Sequence, residues 1–440
     1  MHLNTEVHDV EIPRLIDKFI AITGMKEWKR RFAWLATQRK QNNLLSDYLG
    51  QIYALELELA RVRKEIAETG RFGIRIDTVE RYRLFAFITG VTKIYERLSP
   101  TGQKRLRGMI LAGLHDAGLT PLQQEISVAT HLFARGFDVT FSDMETGSGF
   151  DFLATRDGIE LEVECKRVGL SLGRKIPRLE ALTLHKHIEA QIKPVVTRLN
   201  CGLFLRVVLP ERLTVNYSEQ KAIAAAVGKA CRTGVTLNGP HCDVEVHEFQ
   251  IQGTPFEHAA GQADMPVIRA FMEKQFNVKN REMYVLGTKG KRALAVSIES
   301  RQSDSVVENL FADLSDSAAR QFSKTRPGVL CVQFIDLTDE QIQRIDSTSD
   351  EASPKRPSYI LRETSTFLAS PNRAHIHSLA FRGRGDVGRS AAIQGNVLTH
   401  HVQEEGSAFF VTNENHPLAK DRRYAIFGDE SPPPRIIVES

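Results

Sequence analysis

The sequence predicts an α/β fold, on three observations. The first 120 residues carry helical periodicity throughout. Residues 159–166 alternate strictly between apolar and charged, which is a strand period. From residue 178 onward, short apolar runs alternate with Ala-rich helical stretches, as in strand–helix–strand units.

In the N-terminal stretch, Leu45, Leu49, Ile52, Leu59, Val62 and Ile66 recur at three- and four-residue steps, with Glu56 interrupting, and Gly70 ends the run. About three heptads of this kind suit either an internal helical bundle or a seam for a second copy or partner protein. Asp77 with Glu80 three residues on has the form of a capping box, opening a helix to Leu98; Ser99-Pro100 opens the next, ending near Gly118. Lys26, Lys29, Arg30, Arg31, Arg39 and Lys40 interleave with Trp28, Phe32 and Trp34. Such a mixture serves either a phosphate backbone with stacking or an amphipathic helix whose bases snorkel.

Thr120-Pro121 then opens a helix over 122–135, which stops at Gly136, and 137–141 reads as a strand. Gly149 to Thr155 is a short apolar run with Asp151 near its start. Asp157-Gly158 supplies a tight turn, and Ile159 to Lys166 places Glu160, Glu162, Glu164 and Lys166 on one face, with Leu161, Val163 and Cys165 on the other. Glu164 and Lys166 therefore project together, and the turn folds Asp151 back beside them. Paired carboxylates suit a hard divalent cation, and an amine beside them orients or deprotonates a water. Downstream, 178–199 reads as a helix, 202–209 as a buried strand, 218–232 as a helix and 244–251 as a strand.

The order α-β-β-β-α-β-α-β over residues 120–252, with Asp151 and Glu164-Cys165-Lys166 on the second and third strands, resembles the PD-(D/E)XK nuclease superfamily and its restriction-endonuclease-like fold. The resemblance implies that Asp151, Glu164 and the Cys165 backbone carbonyl hold Mg²⁺ or Mn²⁺ and that Lys166 is the catalytic lysine. It also implies catalytic roles for Glu125, on the helix before the first strand, and Gln191, on the helix after the lysine. Phe150 stands where many members have proline. The basic run Arg167, Arg174, Lys175, Arg178 and Lys186 would border the cleft and contact a nucleic-acid backbone, DNA in preference to RNA. The products would be 5′-phosphates and 3′-hydroxyls. A nuclease flanked by accessory modules suits antiviral defence or restriction. The competing reading is a non-catalytic scaffold or sensor that binds nucleic acid or protein on the same fold.

The expected organisation is a helical module over 1–119, a nuclease-like domain over 120–252 and an α/β module over 253–440. In the last, 292–301, 304–323 and 327–335 repeat the strand–helix–strand pattern of 159–209, with Glu299-Ser-Arg301 where Glu164-Cys-Lys166 stood. That echo reads as a degenerate second half or a recurring βαβ unit. Residues 347–357, 383–395 and 431–435 read as loops or extended chain. The pairs His185/His187 and His375/His377, and His400-His401, form no convincing metal pattern.

Composition excludes other classes. The 440 residues carry 58 Lys+Arg and 54 Asp+Glu, but residues 1–120 hold 20 against 14, so the basic excess lies in the helical part. No run of eighteen apolar residues suggests a membrane span, and Met1 to Asp9 does not read as a signal peptide. Five scattered cysteines without C-x-x-C spacing argue against a disulfide framework or zinc site and suit a reducing cytoplasm.

Overall fold

The computed structural model describes residues 7–8, 11–41, 48–50, 52–69, 78–116, 118–147, 149–169, 171–257, 265–278, 282–288, 292–335, 342, 359–383, 393–394, 397–398 and 409–427. Leu45, Gly70, Asp77, His400-His401, the 347–357 loop, the 431–435 tail and most of 383–395 lie outside them. The chain forms a mixed α/β structure in two compact units, one of residues 1–169 with 310–440 and one of residues 170–309.

The first unit opens with five helices: α1 Ile12–Thr23, α2 Met25–Gln41, α3 Ala54–Thr69, α4 Val79–Tyr95 and α5 Pro100–His115. Thr78, one residue after the expected Asp77, caps α4, its hydroxyl accepting from Arg81 N at 3.2 Å. Ser99 caps α5 in the same way, with proline in the first turn. The apolar periodicity of this stretch is spent internally. Leu55, Leu59 and Val62 join Phe19, Trp28 and Phe85 in one core, and Leu49 is buried too. Trp28 is fully buried against Phe19, as the amphipathic-helix alternative requires and a stacking surface does not.

Helix α6 (Thr120–Ala134) leads into β1 (Asp138–Phe141), a one-turn helix α7 (Ser142–Glu145), β2 (Phe152–Arg156) and β3 (Ile159–Val168). The three strands form an antiparallel meander. Asp157 and Gly158 close the second hairpin with φ of 50° and 79°, the left-handed pair a two-residue turn needs.

The chain then leaves this sheet, and the next strand of the unit arrives more than 150 residues later. Helix α11 (Val306–Arg320) precedes β8 (Gly328–Phe334), which lies parallel to β3 with Cys331 opposite Cys165. Helix α12 (Tyr359–Ala369) precedes β9 (Ile376–Arg382), parallel to β8, and β10 (Phe409–Thr412) closes the edge. The sheet order is β10-β9-β8-β3-β2-β1. A small separate sheet of two-residue strands joins Val7–His8 to 393–394 and 397–398.

The second unit holds α8 (Arg178–Val196), β4 (Gly202–Leu209), α9 (Tyr217–Thr233), β5 (Asp243–Phe249), α10 (Met265–Phe276), β6 (Met283–Thr288) and β7 (Arg292–Ser300). Its sheet runs β5-β4-β7-β6, with a short strand at 237–238 outside β5. Phe204 on β4, Phe256, and Ile268 and Met272 of α10 pack one core.

The individual elements lie within a few residues of the sequence expectation, but the grouping differs. The expected boundary at 252 falls inside the second unit. Strands 202–209 and 243–249 do not extend the 138–168 sheet: β4 pairs parallel with β7 and antiparallel with β5. Likewise 292–300 and 328–334 belong to different sheets, so 253–440 is not one module and not a second half. Apolar strands look alike in sequence, and partner choice rests on long-range packing that no local pattern encodes. Among the described residues, no helix is long and apolar enough to cross a membrane.

Candidate metal centre

The site is built by register. Phe141 pairs with Phe152 and Phe152 with Val163, so the positions just beyond them on all three strands meet at one end of the sheet. Those positions are Ser142-Asp143, Asp151 and Glu164. Backbone bonds fasten them: Ser142 N donates to Asp151 O at 2.9 Å, and Asp151 N donates to Val163 O at 3.2 Å. The Asp151 carboxylate accepts from Cys165 N at 2.6 Å through Oδ2. Gly149, two residues earlier, is required by contact. A Cβ there would meet the Gln321 carbonyl oxygen at 2.8 Å, closer than real Cβ atoms come.

Three carboxylates converge. Ligand oxygens of Glu125 (α6), Asp143 (α7) and Asp151 all lie within 4.8 Å of one another. Burial raises the pKa of each, and their mutual repulsion raises Glu125 and Asp151 further. Asp143 is pushed up to about 6 and Asp151 to about 8, burial being the largest cause in both. Glu164 is not part of this triad, but its charge acts on both Glu125 and Asp151. Its Oε1 sits 2.6 Å from Lys166 Nζ. Its Oε2 is buried without a hydrogen-bond partner among the described residues.

Glu164 is 3% exposed. Its pKa is raised by burial against the lowering effect of Lys166 and of the adjacent Gln321 side chain. Gln124, next to Glu125 on α6, is almost fully buried. Its Nε2 donates to Lys166 O and Cys331 O, both at 3.1 Å, and so clamps the helix to β3 and β8.

Several expected residues thus come together and others do not. Glu125, Asp151, Glu164 and Lys166 share the end of the sheet. Cys165 is placed by its backbone N–H on Asp151, while its buried thiol faces Cys331. Gln191 lies in the other unit and packs against Gly228 of α9, so a Cβ at Gly228 would meet its own Cβ at 2.7 Å. The glutamine beside Glu164 is Gln321, just past α11. The reason is again topological: the helix that returns the chain to β3's neighbour is α11, not α8.

Arg167 does not point to open solvent; it is half-buried, with Glu56, Tyr48 and Tyr53 acting on its charge. Arg174, Lys175, Arg178 and Lys186 belong to the 170–309 unit. The echo Glu299-Ser-Arg301 holds ordinary ion pairs, Glu299 with Arg206 at 2.8 Å and Arg301 with Asp243.

Asp143 and Gln124 were not legible in the sequence, and Gln321 stood out only as the glutamine of the 304–323 helix in the echo of 159–209. Asp143 had one signal: an acid two residues beyond the strand that pairs with Asp151's strand. An all-oxygen donor set with an orphaned buried carboxylate oxygen fits a hard divalent cation such as Mg²⁺ or Mn²⁺, and gives a soft metal nothing to bind. Compared with known proteins, the chain matches no family model, no curated protein and no solved structure.

Proposed function

We propose that this chain is a divalent-metal-dependent nuclease of restriction-endonuclease-like fold, acting on DNA in preference to RNA. The observation that carries the reading is the convergence of Glu125, Asp143, Asp151, Glu164 and Lys166 at one end of the β1-β2-β3 meander. The succession α6-β1-β2-β3-α11-β8, with β8 parallel to β3, adds support, because it restores an αβββαβ order once residues 170–309 are treated as an insertion. The scaffold reading has no use for four carboxylates desolvated together, an arrangement that costs stability without a cation.

Glu125, Asp143 and Asp151 would hold the cation, with Glu164 reaching it through its unpartnered Oε2. When bound, the cation supplies a Lewis acid for the phosphoryl oxygens and lowers the pKa of a coordinated water. Lys166 has three N–H donors; one goes to Glu164, which aims the ammonium, and the others hold the attacking water or a non-bridging phosphate oxygen. Gln321 keeps Glu164 in place, and Gln124 fixes the backbone of Lys166 against α6.

The test is cleavage of plasmid DNA and of RNA with Mg²⁺ or Mn²⁺, with and without chelator, by wild type and Lys166→Ala. Metal-dependent cutting that drops on the order of 10²-fold or more in the variant is expected. Absence of cutting on every substrate, or equal cutting by the variant, would overturn the reading.

A further inference from the structure

We infer that the α8–α9 face of the 170–309 unit is a binding surface for a nucleic-acid strand with unpaired bases. The inference rests on the nuclease reading for its choice of polyanion, and on the unit itself for the surface. From Arg174 to Arg232 there are 11 Lys+Arg against 4 Asp+Glu, a net +7; from Asp243 to Asn309 there are 8 against 10, a net −2. The excess is thus confined to the part of the unit that contains α8 and α9.

The two helices direct their apolar residues inward. Leu184, Ile188 and Ile192 of α8 are buried, as are Ile223, Val227 and Cys231 of α9. What they show outward is mainly charge: exposed Lys186 and Lys193 on α8, the latter 3.9 Å from Glu189, and exposed Lys221 and Lys229 on α9, with Leu179 in the first turn of α8 exposed as well. Amid these bases stands Tyr217, 58% exposed, in the first turn of α9. Lys221 Nζ lies 4.4 Å from its ring centroid, and the His187 ring meets it edge-on at 5.2 Å. Burial lowers the pKa of His187, and Lys221 and Lys186 lower it further, so both lysines lie close to the histidine that meets the tyrosine.

Exposed lysines offer phosphate contacts without sequence preference, and an exposed tyrosine beside Lys221 offers a stacking face. Stacking on that ring needs a base free of its partner, which favours an unpaired strand over a duplex. A lipid surface fits less well. Helices that lie on membranes present their apolar stripe outward, and here that stripe is used against the sheet.

The experiment uses the full wild-type chain in excess chelator, so that no cleavage occurs. Fluorescence anisotropy follows binding to a labelled oligothymidylate of about 16 nucleotides, the upper end of usual site sizes. A duplex of equal length and anionic phosphatidylserine vesicles are compared. Single strand should bind most tightly. Tyr217→Ala should weaken it about tenfold, the loss typical of one stacked base. Lys186→Gln with Lys221→Gln should flatten the log affinity–log salt slope by about 1.4, two phosphate contacts' worth. Circular dichroism should be unchanged, since all three side chains are exposed.

Unchanged affinity and slope in both variants, or tighter binding to duplex or vesicles, would overturn the surface. The two readings separate cleanly. Wild-type binding by the variants in a chain that cuts DNA through Lys166 removes the surface and keeps the nuclease. Strand binding lost in the variants of a chain that never cuts keeps the surface and removes the nuclease.

Discussion

Asp143→Asn separates the cost of the acid cluster from its use. The change keeps shape and keeps the bond in which Asp143 Oδ1 accepts from Met144 N at 2.7 Å, so the start of α7 should survive. It removes one charge from a triad whose oxygens lie within 4.8 Å of one another. Two full charges 4.8 Å apart at an effective dielectric of about 20 repel by about 3.5 kcal/mol. Raised pKa values show the metal-free chain already sheds part of that charge by protonation, so the relief is smaller, on the order of 1 kcal/mol. The metal-free variant should therefore melt higher, by roughly 1.5–2 °C for each kcal/mol in a unit of this size.

Metal affinity should move the other way. Even changes to residues that only support a metal ligand lower affinity 10–100-fold, so loss of a ligand oxygen sets about tenfold as a floor. Calorimetric titration with Mn²⁺ and melting curves with and without metal read both effects. An unchanged Mn²⁺ affinity together with an unchanged melting temperature would refute both the crowding and the ligand role of Asp143.

Other expectations follow from single contacts. Gln321→Ala should lower metal-dependent cleavage about tenfold or more, while Gln191→Ala, whose side chain packs on Gly228, should leave it within a few-fold; the reverse pattern would return the role to α8. Gln124→Ala strands the carbonyls of Lys166 and Cys331 and should cost about 2–4 kcal/mol in urea unfolding, at roughly 1–2 kcal/mol for each lost bond; a loss under 1 kcal/mol would show that water replaces the amide. Burial beneath Arg31 pushes Glu56 up to about 7, above its unfolded value near 4.5. A raised carboxyl pKa favours the protonated folded state, so stability should be highest below pH 4.5 on this account. It should fall by about 3 kcal/mol as pH rises to 7, a slope that Glu56→Gln should flatten in pH-dependent melting.

Much of this molecule is written in local sequence. The strict alternation at 159–166 and the Asp157-Gly158 turn fix the hairpin's register, and register alone puts Asp151 beside Glu164 and Lys166. A serine cap with proline marks α5 and a first-turn proline marks α6, where Leu119 and not Thr120 is the N-cap, and apolar runs mark β4, β7 and β8 to within a residue or two. These features depend on neighbours a few positions apart, which a sequence displays directly. Which strands share a sheet does not. The choice of β8 rather than β4 as the partner of β3 is made across more than 150 residues, by long-range packing. With that pairing the glutamine beside Glu164 is Gln321, past α11, and not Gln191 of α8. Asp143, an unremarkable acid on a four-residue helix, comes within 4.8 Å of Glu125 and Asp151 through the β1–β2 register and the placement of α6. The N-terminal heptads went the same way: their spacing suits an internal core first and an external seam second, and the burial of Leu59 and Val62 in one core with Phe19, Trp28 and Phe85 shows what covers them here. Periodicity determines which face of an element is apolar; what meets that face is decided by the packing of the whole chain.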